Sequence, residues 1–195
     1  MRILAIDPGE YKLGWCWGES GTVPPATTVH LRSKGERIEE AAAQFAKSLH
    51  AFLSEHLMGR TDLLCIEDYL PAGAARGRTN ADVREAQIIL NAHIRAIAAL
   101  HDIPVRAPSV QTIRKHFCGQ VSGAPKRKRG YVRTAREVTE DRQATKDMVI
   151  RRAITLGYLP RESADDNAAD AAAVFDFASS YFGRRTGSFA LMATA

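Results

Sequence analysis

Three acidic positions stand where their side chains can do chemistry. Arg2-Ile3-Leu4-Ala5-Ile6 is a short apolar run that ends on Asp7, and Pro8-Gly9 follows at once. Leu63-Leu64-Cys65-Ile66 is a second such run, closed by Glu67-Asp68. Far down the chain, Asp165-Asp166-Asn167-Ala168-Ala169-Asp170 opens a strongly Ala-rich stretch. Asp166 and Asp170 are four apart, and Asn167 and Asp170 three apart, so each pair shares a helix face. Asp165 or Asp166 can be a simple N-cap. Asp170 lies a full turn inside, among Ala168, Ala169, Ala171, Ala172 and Ala173, and capping does not explain it. If Asp7 and Glu67 end neighbouring parallel strands, their carboxylates meet at one edge of a sheet, where ligands of open α/β folds sit. Acids gathered there repel one another. Something cationic must hold them, and hard oxygen ligands select magnesium or manganese.

The elements that must position these acids are legible from periodicity. Arg2–Asp7, Leu13–Gly18 and part of Val23–Leu31 are β-rich runs separated by turns, which predicts an antiparallel meander. Gly35–Leu57 then carries Ile38, Ala42, Phe45, Leu49, Phe52 and Leu53 on one helical face. Leu63–Ile66, short and uncharged, reads as a strand buried on both faces of a sheet. A helix over Asn80–His101, a strand at Ile103–Val105 and a helix opened by Pro108-Ser109 and running through Phe117 come next. Gly119–Gln143 is polar and basic, and is expected to be loosely ordered. Thr145–Leu156, with Gly157 as its C-cap, and Asp165–Tyr181 read as the last helices. The tail from Gly183 is expected to fray. The expected class is α/β: a mixed five-stranded sheet flanked by helices, in one domain over residues 1–182.

Composition bounds the function classes. A chain of 195 residues with 45% hydrophobic and 25% charged residues is that of an ordinary soluble domain. No apolar run approaches the roughly 20 residues that span a membrane. Asp7 and Pro8-Gly9 come too early for a signal peptide, so a cytoplasmic location is expected. Cys16, Cys65 and Cys118 are odd in number and widely spaced, which argues against a disulfide framework and against zinc. The net charge of +5 is unevenly spread: Lys126–Arg142 holds seven Lys/Arg against three Asp/Glu, leaving only +1 for all the rest. Concentrated positive charge calls for a polyanion partner, or else marks a solvated loop with none.

Taken in order, these segments resemble a family. Ile3-Leu4-Ala5-Ile6-Asp7-Pro8-Gly9 with Gly14 resembles the opening of RuvC-type Holliday-junction resolvases, and Cys65-Ile66-Glu67 is similar to their second acid. Ala107-Pro108-Ser109 through Gly119, and Thr145-Lys146-Asp147-Met148-Val149-Ile150, resemble their lysine-bearing segments. Asn167-Ala168-Ala169-Asp170-Ala171 resembles their closing acidic helix. The likeness runs from Arg2 to about Ala178 and is nearer to bacteriophage and prophage variants than to the housekeeping form. It implies a ribonuclease H-like fold and an endodeoxyribonuclease that cuts branched DNA, leaving 5′-phosphate ends, with no nucleotide cofactor. It also implies Mg2+ or Mn2+, two ions about 4 Å apart, with Asp7 bridging both, Glu67 on one, and Asp170 with Asp166 or Asn167 on the other. Many relatives have an acid where this chain has Asn167; either Asp166 supplies it or Asn167 ligates through its carbonyl.

Arg114 and Lys146 match family cations near the scissile phosphate. Arg76 and Arg78, beside small residues just after Glu67, and Lys126, Arg127, Lys128 and Arg129, in a basic insertion around residues 120–143, are the other expected backbone contacts. Tyr69 is a candidate for stacking on an unpaired base. Symmetric cutting of a four-way junction implies a homodimer, for which the Asn80–His101 helix, with Ile88, Ile89, Ile94, Ile97 and Leu100, is the candidate interface. Three rivals follow from the same residues. An actin-like ATPase or sugar kinase needs a second domain that 195 residues cannot hold. A catalytically weak nucleic-acid-binding relative fits Asn167, and a nuclease acting on structured RNA shares the superfold.

Overall fold

The computed structural model describes residues 1–55, 60–68, 81–127 and 131–183. Its elements in chain order are β1 (Arg2–Asp7), β2 (Lys12–Glu19), β3 (Ala26–His30), α1 (Ile38–Ser54), β4 (Leu63–Ile66), α2 (Ala81–Leu100), β5 (Val105–Arg106), α3 (Val110–Cys118), α4 (Ala135–Leu156) and α5 (Asp166–Phe182). The five strands form one sheet in the order β3-β2-β1-β4-β5. The first three make the expected antiparallel meander, while β4 joins β1, and β5 joins β4, in parallel.

Both faces of β1 and β4 are buried, which is why these strands are uninterrupted apolar runs. Alternation then sorts the side chains into two cores. Leu4, Ile6, Leu64 and Ile66 pack with Leu49 of α1 and Leu90 and Ile94 of α2. Ile3, Ala5, Cys16 and Cys65 face the other way, onto α3, α4 and α5. Burial pushes the Cys16 and Cys65 thiols up to about 12, so both behave as small hydrophobes.

Helix α5 lies at the centre of its layer, with Ala168, Ala169, Ala171, Ala172, Ala173, Val174, Phe175, Phe177 and Ala178 all buried. A helix buried nearly all round has no room for large residues where it crosses a sheet. The tightest point is Gly14 of β2, where an added Cβ would lie 2.0 Å from the Asn167 carbonyl oxygen and 2.8 Å from the Ala171 Cβ. Gly14 is also the residue paired with Asp7 across the β1–β2 ladder. The missing side chain therefore brings the acidic start of α5 down beside the end of β1.

Two boundaries differ from the sequence reading. Helix α4 starts at Ala135, not Thr145, so part of the stretch expected to be loosely ordered is helical. The reason is local: Thr134 and Glu137 form a reciprocal capping box, supported by an Arg136–Glu140 pair one turn on. The last strand is Val105–Arg106 rather than Ile103–Val105; the Ile103 amide instead donates to the Ala98 carbonyl, closing the end of α2. Among the described residues no helix is long and apolar enough to cross a membrane.

Candidate active site

Parallel pairing of β1 with β4 sets Ile6 beside Ile66, and the Glu67 amide donates to the Ile6 carbonyl at 3.2 Å. Asp7 and Glu67 thus leave adjacent strand ends on the same edge of the sheet. The next residue, Asp68, donates its amide to the Pro108 carbonyl at 3.0 Å, which ties this edge to the start of α3. Ser109 caps α3 by accepting from the Thr112 amide, and buried Ile113 and Phe117 orient the helix. Arg114, between those two anchors, is thereby carried to the acids.

The start of α5 completes the cluster. Asp165 is the N-cap: its Oδ1 accepts from the Ala168 amide at 3.1 Å and from the Thr28 hydroxyl at 2.6 Å. Capping therefore occupies Asp165 and leaves Asp166 for other partners. Asn167 packs its carbonyl on Gly14 and its Oδ1 near Gly9. Asp170, a turn further in, comes within 3.7 Å of the Arg114 guanidinium.

Electrostatics ties these acids into one site. Burial, then the Glu67 and Asp170 carboxylates, hold Asp7 well above its ordinary range, against the pull of Arg114. Burial and Asp170 push Glu67 up to about 8. Asp170 is raised as well, first by burial, with Arg114 opposing and Asp166 adding to it. Each acid is costly to ionise first because it is buried and then because the other acids are near. Two cations answer part of this charge: Arg114 against Asp170, and Lys146 of α4, which forms an ion pair with Asp166. With these pairs in place, no group of three or more His, Cys, Asp or Glu side chains among the described residues converges tightly enough to enclose an ion.

The donor set nevertheless suits a hard divalent cation. Asp7, Glu67, Asp166 and Asp170 offer only carboxylate oxygens, and three of them are held raised by burial and by one another. The buried Arg114 Nε has no hydrogen-bond partner among the described residues, a donor left waiting for an acceptor. A buried donor of this kind costs about 1–3 kcal/mol while it stays unpaired.

The basic segment is only partly as expected. Lys126 is exposed, but Arg127 reaches Asp141 at 2.5 Å and Glu137 at 3.6 Å. Asp141 is buried, and it also takes Arg133 at 3.1 Å. The sequence reading passed over Asp141, Arg133 and Tyr131, although Thr134-x-x-Glu137 was the signal that the segment folds. Arg76, Arg78, Lys128, Arg129 and Tyr69 lie outside the described residues. In the expected interface helix Ile94 is buried in the core, Ile89 and Ile97 are partly covered, and Ile88 and Leu100 are exposed.

No family model matches the chain, and no curated protein sequence matches it. Solved structures do. RuvC of Thermus thermophilus aligns over 96% of this chain and 97% of its own, with a TM-score of 0.58 at 19% identity. The same enzyme in complex with a Holliday junction substrate aligns over the same shares, with a TM-score of 0.60 at 15% identity. The chain has the RuvC fold. A yeast mitochondrial Holliday junction resolvase aligns more loosely, with a TM-score of 0.47 at 13% identity. The RuvC likeness covers nearly the whole chain, and it bears out the fold class read from the sequence, a ribonuclease H-like mixed five-stranded sheet flanked by helices.

Proposed function

We propose that this chain is a divalent-metal-dependent endonuclease that cleaves phosphodiester bonds in branched DNA. One observation carries the reading: Asp7, Glu67 and Asp170, from three separate elements, share one electrostatic site with Arg114 and Lys146 set against it. Nothing in the packing of the core requires acids there. The RuvC fold supports the same conclusion, since one of the matched structures holds a Holliday junction substrate.

Asp7, Glu67, Asp166 and Asp170 would hold the metal, Mg2+ or Mn2+ and two ions per site. When bound, the ions would supply the positive charge that activates an attacking water and stabilises the leaving oxygen. The chain's own groups do the rest. Arg114, whose side chain is partly exposed at the cleft beside Asp170, is placed to bind a phosphate oxygen by charge-assisted hydrogen bonding. Lys146, now paired with Asp166, would neutralise phosphate charge. The buried strand ends hold the carboxylates on rigid elements, so little reorganisation is needed as charge develops. The reading includes a single nuclease domain over residues 1–182 and a homodimer, so that two sites face the two strands to be cut.

A cleavage assay decides it. Four-way junction, flap, duplex and structured RNA substrates are incubated with Mg2+, Mn2+ or chelator. Cutting of the branched DNAs, dependent on a divalent ion and leaving 5′-phosphates, is expected. Cutting of RNA alone, or binding without cutting, would move the assignment to one of the rivals.

A further inference from the structure

Beside the acids, the described residues form a cleft of about 660 Å³ whose outer wall the mechanism above does not use. Arg114 and Lys146 stand where it meets the acid cluster; Val121, Tyr131, Arg133 and Val138 line it further out. Its volume falls within the range of about 300–1,000 Å³ typical of pockets that take small organic ligands. Four cations line it, Arg114, Arg133, Arg142 and Lys146, against a single carboxylate, Asp141. It is thus polar and cationic, with apolar side chains in its wall.

The cleft is built rather than accidental. Asp141, 6% exposed, anchors both Arg127 and Arg133, and so pins the loop after α3 back onto α4. The Ser122 hydroxyl and the Gly123 amide both meet the Thr145 hydroxyl, at 3.1 and 3.2 Å. A Cβ at Gly123 would lie 2.3 Å from the Ala144 carbonyl oxygen, so the loop lies directly on the helix. Tyr131 is held by its hydroxyl, which donates to Glu137 at 2.7 Å, while the residue stays 53% exposed. The Arg127 guanidinium covers that ring at 5.5 Å. A ring fixed at its polar end and stacked with a cation is a platform for one more flat group.

We propose that this cleft receives one unpaired nucleotide of the DNA strand next to the scissile phosphate, with Tyr131 stacking on its base and Arg133 facing its phosphate. The proposal rests on the nuclease reading and deepens it, because it names what the site recognises in a branch: a nucleotide free to leave the helix. Unstacking such a nucleotide costs least where pairing is already broken. Branched DNA is then preferred over duplex by the cleft as well as by overall shape.

The test uses the full chain without divalent ions, so that binding is read apart from cutting. Junction and flap DNAs carry 2-aminopurine at single positions on either side of the branch point. One position is expected to lose fluorescence on binding. Tyr131→Ala should abolish that change and weaken branched-DNA binding roughly 5- to 100-fold, leaving duplex binding unaltered, whereas Tyr131→Phe keeps the quenching. Val121→Glu, which sets an anion in the cleft wall from an exposed loop position, should weaken branched binding in the same way, and circular dichroism checks that each variant folds. Quenching that survives Tyr131→Ala, or equal loss on duplex DNA, overturns the proposal. If nothing is cut with Mg2+ or Mn2+ while the Tyr131-dependent quenching holds, the cleft stands and the nuclease reading falls. If branched DNA is cut but the quenching is absent, the reverse is true.

Discussion

Burial and the neighbouring Asp170 push Glu67 to about 8 in the folded, metal-free protein, far above the 4.5 ordinary for glutamate. A carboxyl raised by folding contributes stability that is complete below its unfolded value and is lost as pH rises through the folded one. The metal-free protein should therefore lose thermal stability between about pH 4.5 and 8, with Asp7 and Asp170 pulling in the same direction. Glu67→Gln should flatten that decline, and Mg2+ should reverse it most strongly at the alkaline end; Tm measured across pH with chelator or with Mg2+ checks both. A Tm that rises with pH in chelator would contradict the clustering of these acids. The same residues give a kinetic expectation. Asp7→Asn, Glu67→Gln and Asp170→Asn each remove a proposed metal ligand and should lower the cleavage rate by several orders of magnitude. Junction affinity should hold or rise, since repulsion with phosphate falls; initial rates and gel shifts on the same junction read the two effects separately.

Among the elements, α5 is placed by close packing, because its acidic start is set against β2 by the absence of one side chain. Gly14→Ala puts a Cβ where the Asn167 carbonyl oxygen now lies. Overpacking of this kind costs about 1–3 kcal/mol, and the displaced helix carries Asp166 and Asp170 with it. Denaturant unfolding should report the first effect, and cleavage should fall by more than stability alone explains. On α4, the loop before the helix is tied down by Arg127 while neighbouring Lys126 is exposed. Two variants should consequently part company. Lys126→Ala should leave Tm unchanged and reduce the salt dependence of DNA binding, the log–log slope becoming shallower by about 0.9 for each phosphate that is no longer neutralised. Arg127→Ala should lower Tm, because buried Asp141 then loses the ion pair at 2.5 Å that ties the loop to α4. Equal effects of the two on Tm would mean that the segment is an unanchored tether.

At the scale of the molecule, the proposed nuclease has a single sheet edge with one acid cluster and would cut one strand at a time. Paired incisions across a junction need a second copy related by a two-fold axis. Helix α2 is half absorbed by the core: Leu90, Ile94 and Ala98 are buried, while Ile88 and Leu100 stand 42% and 72% exposed. Those two exposed side chains narrow the expected interface to the outer face of the helix. Sedimentation at micromolar concentration should show a dimer, and Ile88→Glu with Leu100→Arg should convert it to a folded monomer that nicks junctions without resolving them. A wild-type monomer, both free and bound to a junction, would remove α2 from this role.

By itself the sequence determined β1 and β4, because an apolar run closed by an acid leaves few alternatives, and it singled out Asp7, Glu67 and Asp170 by where those runs and the Ala-rich helix place them. It also determined the sheet class, since the elements follow the chain in an order that few topologies accept. What lay beyond it was the identity of the cap. Asp165 and Asp166 are equivalent as residue types; in space Asp165 takes the Ala168 amide and the hydroxyl of Thr28, 137 positions away in the chain, while Asp166 pairs with Lys146. The basic segment misled for a related reason. Its charge looked like solvated loop because Asp141 lies beside Glu140 and Arg142 in a run of charged residues, whereas in space it is buried beneath Arg127 and Arg133. Periodicity reports how one element meets its own core; which cation answers which acid is decided by packing between elements, and no local pattern carries that.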